Sequence, residues 1–159
     1  MNNNSNAIIA LVDDNEMVIT SITAYLALET DYRVRSFTDP EEAARFLTES
    51  PVEVVVSNYL MPRMNGIQLL TRVKQAQPEA SRVLLTGCAD HQCAITAINE
   101  VGLFQYLEKP WDNAQLLLVI RAGVERARLL RELREKISAL DSAHSTLKDA
   151  QRRLLQAFL

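Results

Sequence analysis

The chain has 159 residues, 48% hydrophobic and 23% charged, with a net charge of −3. One core of ordinary size fits that length and two domains do not; no apolar run approaches the roughly 20 residues that cross a bilayer. Residues 1–111 carry 8 basic and 14 acidic side chains (net −6) and residues 112–159 carry 9 and 6 (net +3), a balance without the concentrated basic face of a nucleic-acid binder.

Residues 1–6 form a polar Asn/Ser tail with neither the basic start nor the apolar centre of a signal peptide, so a cytoplasmic protein is the default. Ala7 to Val12 is a short unbroken apolar run, as expected of a strand buried on both faces. It stops at Asp13-Asp14-Asn15, and Val18, Ile19, Ile22, Tyr25, Leu26 and Leu28 then recur at helical spacing, with Asp14 or Asn15 as the helix cap. Tyr32 to Phe37 reads as a second, more exposed strand. Asp39-Pro40-Glu41-Glu42 combines an N-cap, a proline at the first helical position and acids at the positive helix end. After Pro51, Val52 to Val56 is a β-branched third strand.

A loop with Pro62 and the turn signal Asn65-Gly66 leads into a helix from Ile67. Val83 to Thr86 is the fourth strand, halted by Gly87. Ala94 to Val101 reads as a helix ended by Gly102, and Leu103 to Leu107 as the fifth strand. From Trp111 only Gly123 interrupts a helical pattern that continues to the end. Regular strand–helix alternation with buried strands predicts a doubly wound α/β fold, helices on both faces of one parallel sheet. The ligand site of such a sheet lies beyond the carboxyl ends of its strands. That rule selects Asp13, Asp14, Asn58, Thr86 and Lys109. Adjacent carboxylates repel unless a cation lies between them, and Mg²⁺ typically takes one or two carboxylates, waters and a phosphate oxygen. A threonine hydroxyl and a lysine ammonium beside them suit a phosphoryl group. Cys88 and Cys93, with Asp90 and His91 between them, lack the second ligand pair of a zinc site and read as reduced thiols.

Four motifs then occur in order: Leu11-Val12-Asp13-Asp14; Asn58-x-x-Met61-Pro62-x-Met64-Asn65-Gly66; Leu85-Thr86-Gly87; and Tyr106-Leu107-Glu108-Lys109-Pro110-Trp111. Together they make residues 7–124 resemble a response-regulator receiver domain of two-component signalling. The resemblance implies a five-stranded sheet of flavodoxin-like order 2-1-3-4-5. It implies a Mg²⁺ site at Asp13, Asp14, position 58 and the Leu60 carbonyl, phosphoryl contacts from Thr86 and Lys109, and a switch pair of Thr86 and Tyr106. A sensor histidine kinase or phosphotransfer protein is the implied partner. The family's phosphate-accepting aspartate stands four residues before the motif proline; here that residue is Asn58. An amide is a poor nucleophile, so phosphotransfer is expected to fail and Mg²⁺ to be weakened or absent. Two explanations stand side by side: a substitution that locks a receiver unphosphorylated, or a natural pseudo-receiver signalling through protein contacts.

Leu130, Leu133, Ile137, Leu140, His144, Leu147, Gln151, Leu154 and Phe158 follow at alternating spacings of three and four. This heptad pattern over residues 125–159 predicts a parallel homodimeric coiled coil, with Lys136 of one chain able to meet Asp141 of the other. Packing of the same helix against a further domain is the competing explanation. The apolar, uncapped end suggests that an output domain follows; receivers with a Lys-Pro-Trp ending often precede enzymatic or ATPase outputs, cyclic-dinucleotide phosphodiesterases among them. Polar His144 suits a seam position better than a metal ligand. The chain is thus expected to have no enzymatic output of its own, no nucleic-acid contact and no membrane span. A small phosphatase using Asp13 or Asp14 is a different class of reading, but such enzymes want Asp-x-Asp, and here the acids are adjacent.

Overall fold

The computed structural model describes residues 6–87, 95 and 99–158. Five parallel strands, β1 (Ile8–Val12), β2 (Arg33–Phe37), β3 (Val54–Asn58), β4 (Ser81–Thr86) and β5 (Gln105–Glu108), form one sheet in the order β2-β1-β3-β4-β5. The described helices are α1 (Glu16–Glu29), α2 (Pro40–Glu49), α3 (Gly66–Ala76) and α4 (Asn113–Phe158). The expected doubly wound architecture is therefore present. The helix expected over 94–101 lies largely outside the described residues, as do Cys88, Asp90, His91 and Cys93.

Strand alternation divides the core in two. Ala10, Val12, Val55 and Leu84 face α2 and α3, meeting Ala43, Leu47, Leu69, Leu70 and Val73. Ile9, Leu11, Val54, Val56, Val83 and Leu85 face the other way, meeting Ile19, Ile22 and Leu26 of α1 and Leu116, Ile120 and Val124 of α4. Because both faces are covered, the strands read as continuous apolar runs instead of alternating ones. The two edge strands are the exceptions: β2 is mostly exposed, and β5 buries only Leu107.

Strand bounds shift by two residues at the start of β4 (Ser81, not Val83) and β5 (Gln105, not Leu103), and two further differences bear on the site. β3 starts at Val54, not Val52, and continues through Ser57 and Asn58, both buried. Asn65-Gly66 is a helix start, not a free turn: Asn65 caps α3 and exchanges hydrogen bonds with Gln68 in a capping box. Gly66 packs directly under β3, where its N–H donates to the Tyr59 carbonyl at 2.7 Å. A Cβ at this position would collide with the Asn58 carbonyl oxygen and come within 2.9 Å of Leu84 Cδ1. Gly66→Ala is expected to cost about 1–3 kcal/mol, as overpacking of a tight contact does, read as a lower denaturant midpoint at unchanged slope.

Gly123 does not end α4. It lets the helix approach the sheet closely, since a Cβ there would sit 3.1 Å from Val54 Cγ2 and 3.2 Å from Ser81 Cβ. The buried Ser81 hydroxyl donates to the Gly123 carbonyl at 2.7 Å. The chain divides into two compact units, Met1–Ala127 and Arg128–Leu159. Within the second, Leu133, Ile137, Leu140, Leu147 and Leu154 are all more than half exposed, an apolar stripe along one helix interrupted by His144 and Gln151. Among the described residues, no helix is long and apolar enough to cross a membrane.

Candidate functional site

Each strand whose end was singled out delivers its polar residue to one side of the sheet. Asp13 follows the last residue of β1, Asn58 closes β3, Thr86 closes β4 and Lys109 follows β5. β1 and β3 are neighbours although β2 comes between them in sequence, so the order reverses there, the switch point beside which ligands bind in sheets of this kind.

Asp13 is fully buried. Its Oδ1 accepts the Asn15 N–H at 2.9 Å, while Oδ2 has no hydrogen-bond partner among the described residues and lies 3.7 Å from Lys109 Nζ. Burial raises the Asp13 carboxyl above the ordinary carboxylate range. The Asn15 N–H and the Lys109 ammonium oppose that shift, and neighbouring Asp14 adds to it. A carboxyl whose folded-state value is raised favours the fold while protonated. Its contribution is complete below the ordinary carboxylate range and lost as pH climbs through the raised value. Asp13→Asn is therefore expected to stabilise the chain at neutral pH by about 0.5–2 kcal/mol, as relief of a strained functional site commonly does. The advantage should vanish in acid; urea midpoints across pH check this, and an advantage that grows in acid would contradict it.

Asn58, 7% exposed, joins three loops. Its Oδ1 accepts from Lys109 Nζ at 2.9 Å. Its Nδ2 donates to Asp14 Oδ1 at 3.2 Å and to the Leu60 carbonyl at 2.8 Å. The amide's orientation is dictated by these partners, because an ammonium only donates and a carboxylate or carbonyl only accepts. Lys109 also lies 6.0 Å from the Trp111 ring centroid.

The other selected residues are less closely joined. The Thr86 hydroxyl donates to the Gly87 carbonyl at 3.2 Å, and Thr86 is tied to Lys109 through the backbone, its carbonyl accepting the lysine N–H at 2.8 Å. Tyr106, opposite Leu84 on β5, is half-buried against the α2–α3 side of the core. Asn15 caps α1, its side chain accepting the Met17 N–H at 3.0 Å. The sequence did not reveal Gly66 as the support beneath Asn58; the Asn-x-x-Gln pattern after Pro62 was the available signal. Among the described residues, no group of three or more His, Cys, Asp or Glu side chains could hold a metal, and His144 lies exposed on α4.

A parallel sheet of order 2-1-3-4-5 with acids, an amide and a lysine at the ends of its strands is a flavodoxin-like α/β fold with polar groups gathered at the switch-point side. The family model for the response regulator receiver domain matches residues 9–121, and the chain belongs to that family. A hydrogenase transcriptional regulatory protein, HoxA, from Cupriavidus necator is 33% identical over 98 residues, 62% of this chain and 20% of that protein. The crystal structure of an adenylate cyclase from Rhodopirellula baltica superposes with a TM-score of 0.79 at 27% identity, covering 84% of this chain and 98% of that one. The signal receiver domain of an HD domain-containing protein from Pseudomonas fluorescens Pf-5 gives 0.72 at 34% identity, covering 77% and 98%. The chain spans only 20–30% of the length of curated relatives such as HoxA and a phosphoglycerate transport regulator from Salmonella typhimurium.

Proposed function

We propose that this receiver is held in its unphosphorylated state by Asn58 and that residues 125–159 act as a dimeric coiled-coil linker to an output. The observation that carries the reading is the Asn58 amide at the centre of the pocket, hydrogen-bonded by Lys109 on one side and donating to Asp14 and Leu60 on the other. An aspartate there would be a carboxylate nucleophile beside an ammonium that neutralises an incoming phosphoryl group. The amide keeps the shape and removes the nucleophile. Thr86 would serve as hydrogen-bond donor to the phosphoryl oxygens, and Thr86 with Tyr106 as the element that responds to them.

Upstream, the partner would be a sensor histidine kinase or phosphotransfer protein. Downstream, the transcriptional regulator, the cyclase and the HD domain-containing protein among the similar chains show how varied a receiver's surroundings are, and this chain's own output is not specified by them. A pseudo-receiver that signals only through protein contacts is the second reading, favoured by an amide whose donors and acceptor are all satisfied.

Labelling with radioactive acetyl phosphate in Mg²⁺ tests the proposal. No label is expected on this chain and stoichiometric label on Asn58→Asp. Label on the unaltered chain would refute the reading, and an unlabelled Asn58→Asp would favour the pseudo-receiver.

A further inference from the structure

The pocket does not fit the divalent cation that the family implies, for a reason beyond the loss of one charge. A cation held between Asp14 and the Leu60 carbonyl needs, from each oxygen, a lone pair directed into the space between them. Both accept hydrogens from the same nitrogen, Asn58 Nδ2, at 3.2 and 2.8 Å. Turning the amide over to offer its oxygen to a cation would put its –NH₂ against the Lys109 ammonium, a donor facing a donor, in place of the present 2.9 Å bond. The observed orientation fills the space between the two oxygens with a donor, and the flipped one sets donor against donor at Lys109. Charge points the same way: Asp13, Asp14 and Lys109 sum to −1, whereas an aspartate at 58 would bring −2 and demand a counter-ion.

We infer that the Asn58 amide is a built-in surrogate for the divalent cation, filling its place between Asp14 and Leu60 so that the pocket excludes Mg²⁺ actively. The inference deepens the proposed function and rests on position 58 being the acceptor position. It makes an ordering that charge loss alone does not. Alanine at 58 carries no more charge than asparagine, yet it frees both oxygens and admits water. Mg²⁺ should therefore bind Asn58→Asp tightest, Asn58→Ala next and the unaltered chain weakest. Breaking two hydrogen bonds sets the last gap at about tenfold or more.

The experiment is a Mg²⁺ titration of the full chain and both variants, read by Trp111 fluorescence and by the shift of the thermal midpoint, with Asn58→Ser as a second small side chain. The expected result is a saturable response in the alanine and serine variants at concentrations that leave the unaltered chain unmoved. Equal or tighter binding by the unaltered chain overturns the inference. So does silence in both small-side-chain variants, since charge loss would then explain everything. Acetyl phosphate labelling of Asn58→Asp separates the two ideas: label with the wrong Mg²⁺ order sinks only the surrogate, and the right order without label sinks only the held-receiver reading.

Discussion

A chain carrying aspartate at both Leu133 and Leu140 is expected to sediment as a monomer at concentrations where the proposed coiled-coil dimer of the unaltered chain forms. Both residues stand at d positions of the heptad pattern and are 54% and 70% exposed in the single chain, so the change removes nothing from the receiver core. In a parallel pair each substitution acts twice. Burial of a leucine side chain is worth about 1.5–3 kcal/mol. Losing even half of four such contributions weakens association at least about a hundredfold, at 1.4 kcal/mol per decade.

In the proposed seam the apolar energy is concentrated at the d positions, because His144 and Gln151 put polar groups at a and Lys136 already pairs with Glu132 on its own helix at 3.0 Å. An exposed pair of that type contributes little. The receiver's thermal transition should persist in the double variant. A dimer surviving both substitutions would return the helix to the competing explanation, packing against another domain.

In the Asn58→Asp background, Lys109→Ala is expected to slow labelling by acetyl phosphate about 10²–10³-fold, the usual loss when one preorganised donor to developing charge is removed. Two features make the lysine decisive. Its Nζ reaches the side chain at position 58 directly at 2.9 Å, and it is the cation set against Asp13 Oδ2 at 3.7 Å. The same change therefore strips the pocket of its internal counter-charge. A variant labelled at the parental rate would show that Lys109 holds the pocket together without taking part in transfer.

Much of this was legible in the sequence because it depended on local chemistry. Apolar runs marked the strands, Asp39-Pro40 marked the start of α2, and polar residues ending apolar runs marked the strand-end crevice. What escaped depended on contacts distant in sequence. Ser57 and Asn58 look like loop residues, and only in the sheet does it emerge that they stay paired with β4 while buried. The resemblance placed position 58 with Asp14, Leu60 and Lys109, but the bonds that the Asn58 amide makes to all three, with 44 and 51 residues between it and the outer partners, were not legible. The coiled-coil stripe lies between these cases. Its period is local and readable, while its partner is not written in the chain.

Gly66 has a consequence for how such a site can change over time. With no Cβ between α3 and the Asn58 carbonyl, the backbone at position 58 is set by glycine contact and by β4 pairing, independently of the side chain it carries. Aspartate and asparagine then fit one backbone socket, differing in whether a counter-ion has to join them. A lineage can silence or restore the acceptor by a single substitution without rebuilding anything around it.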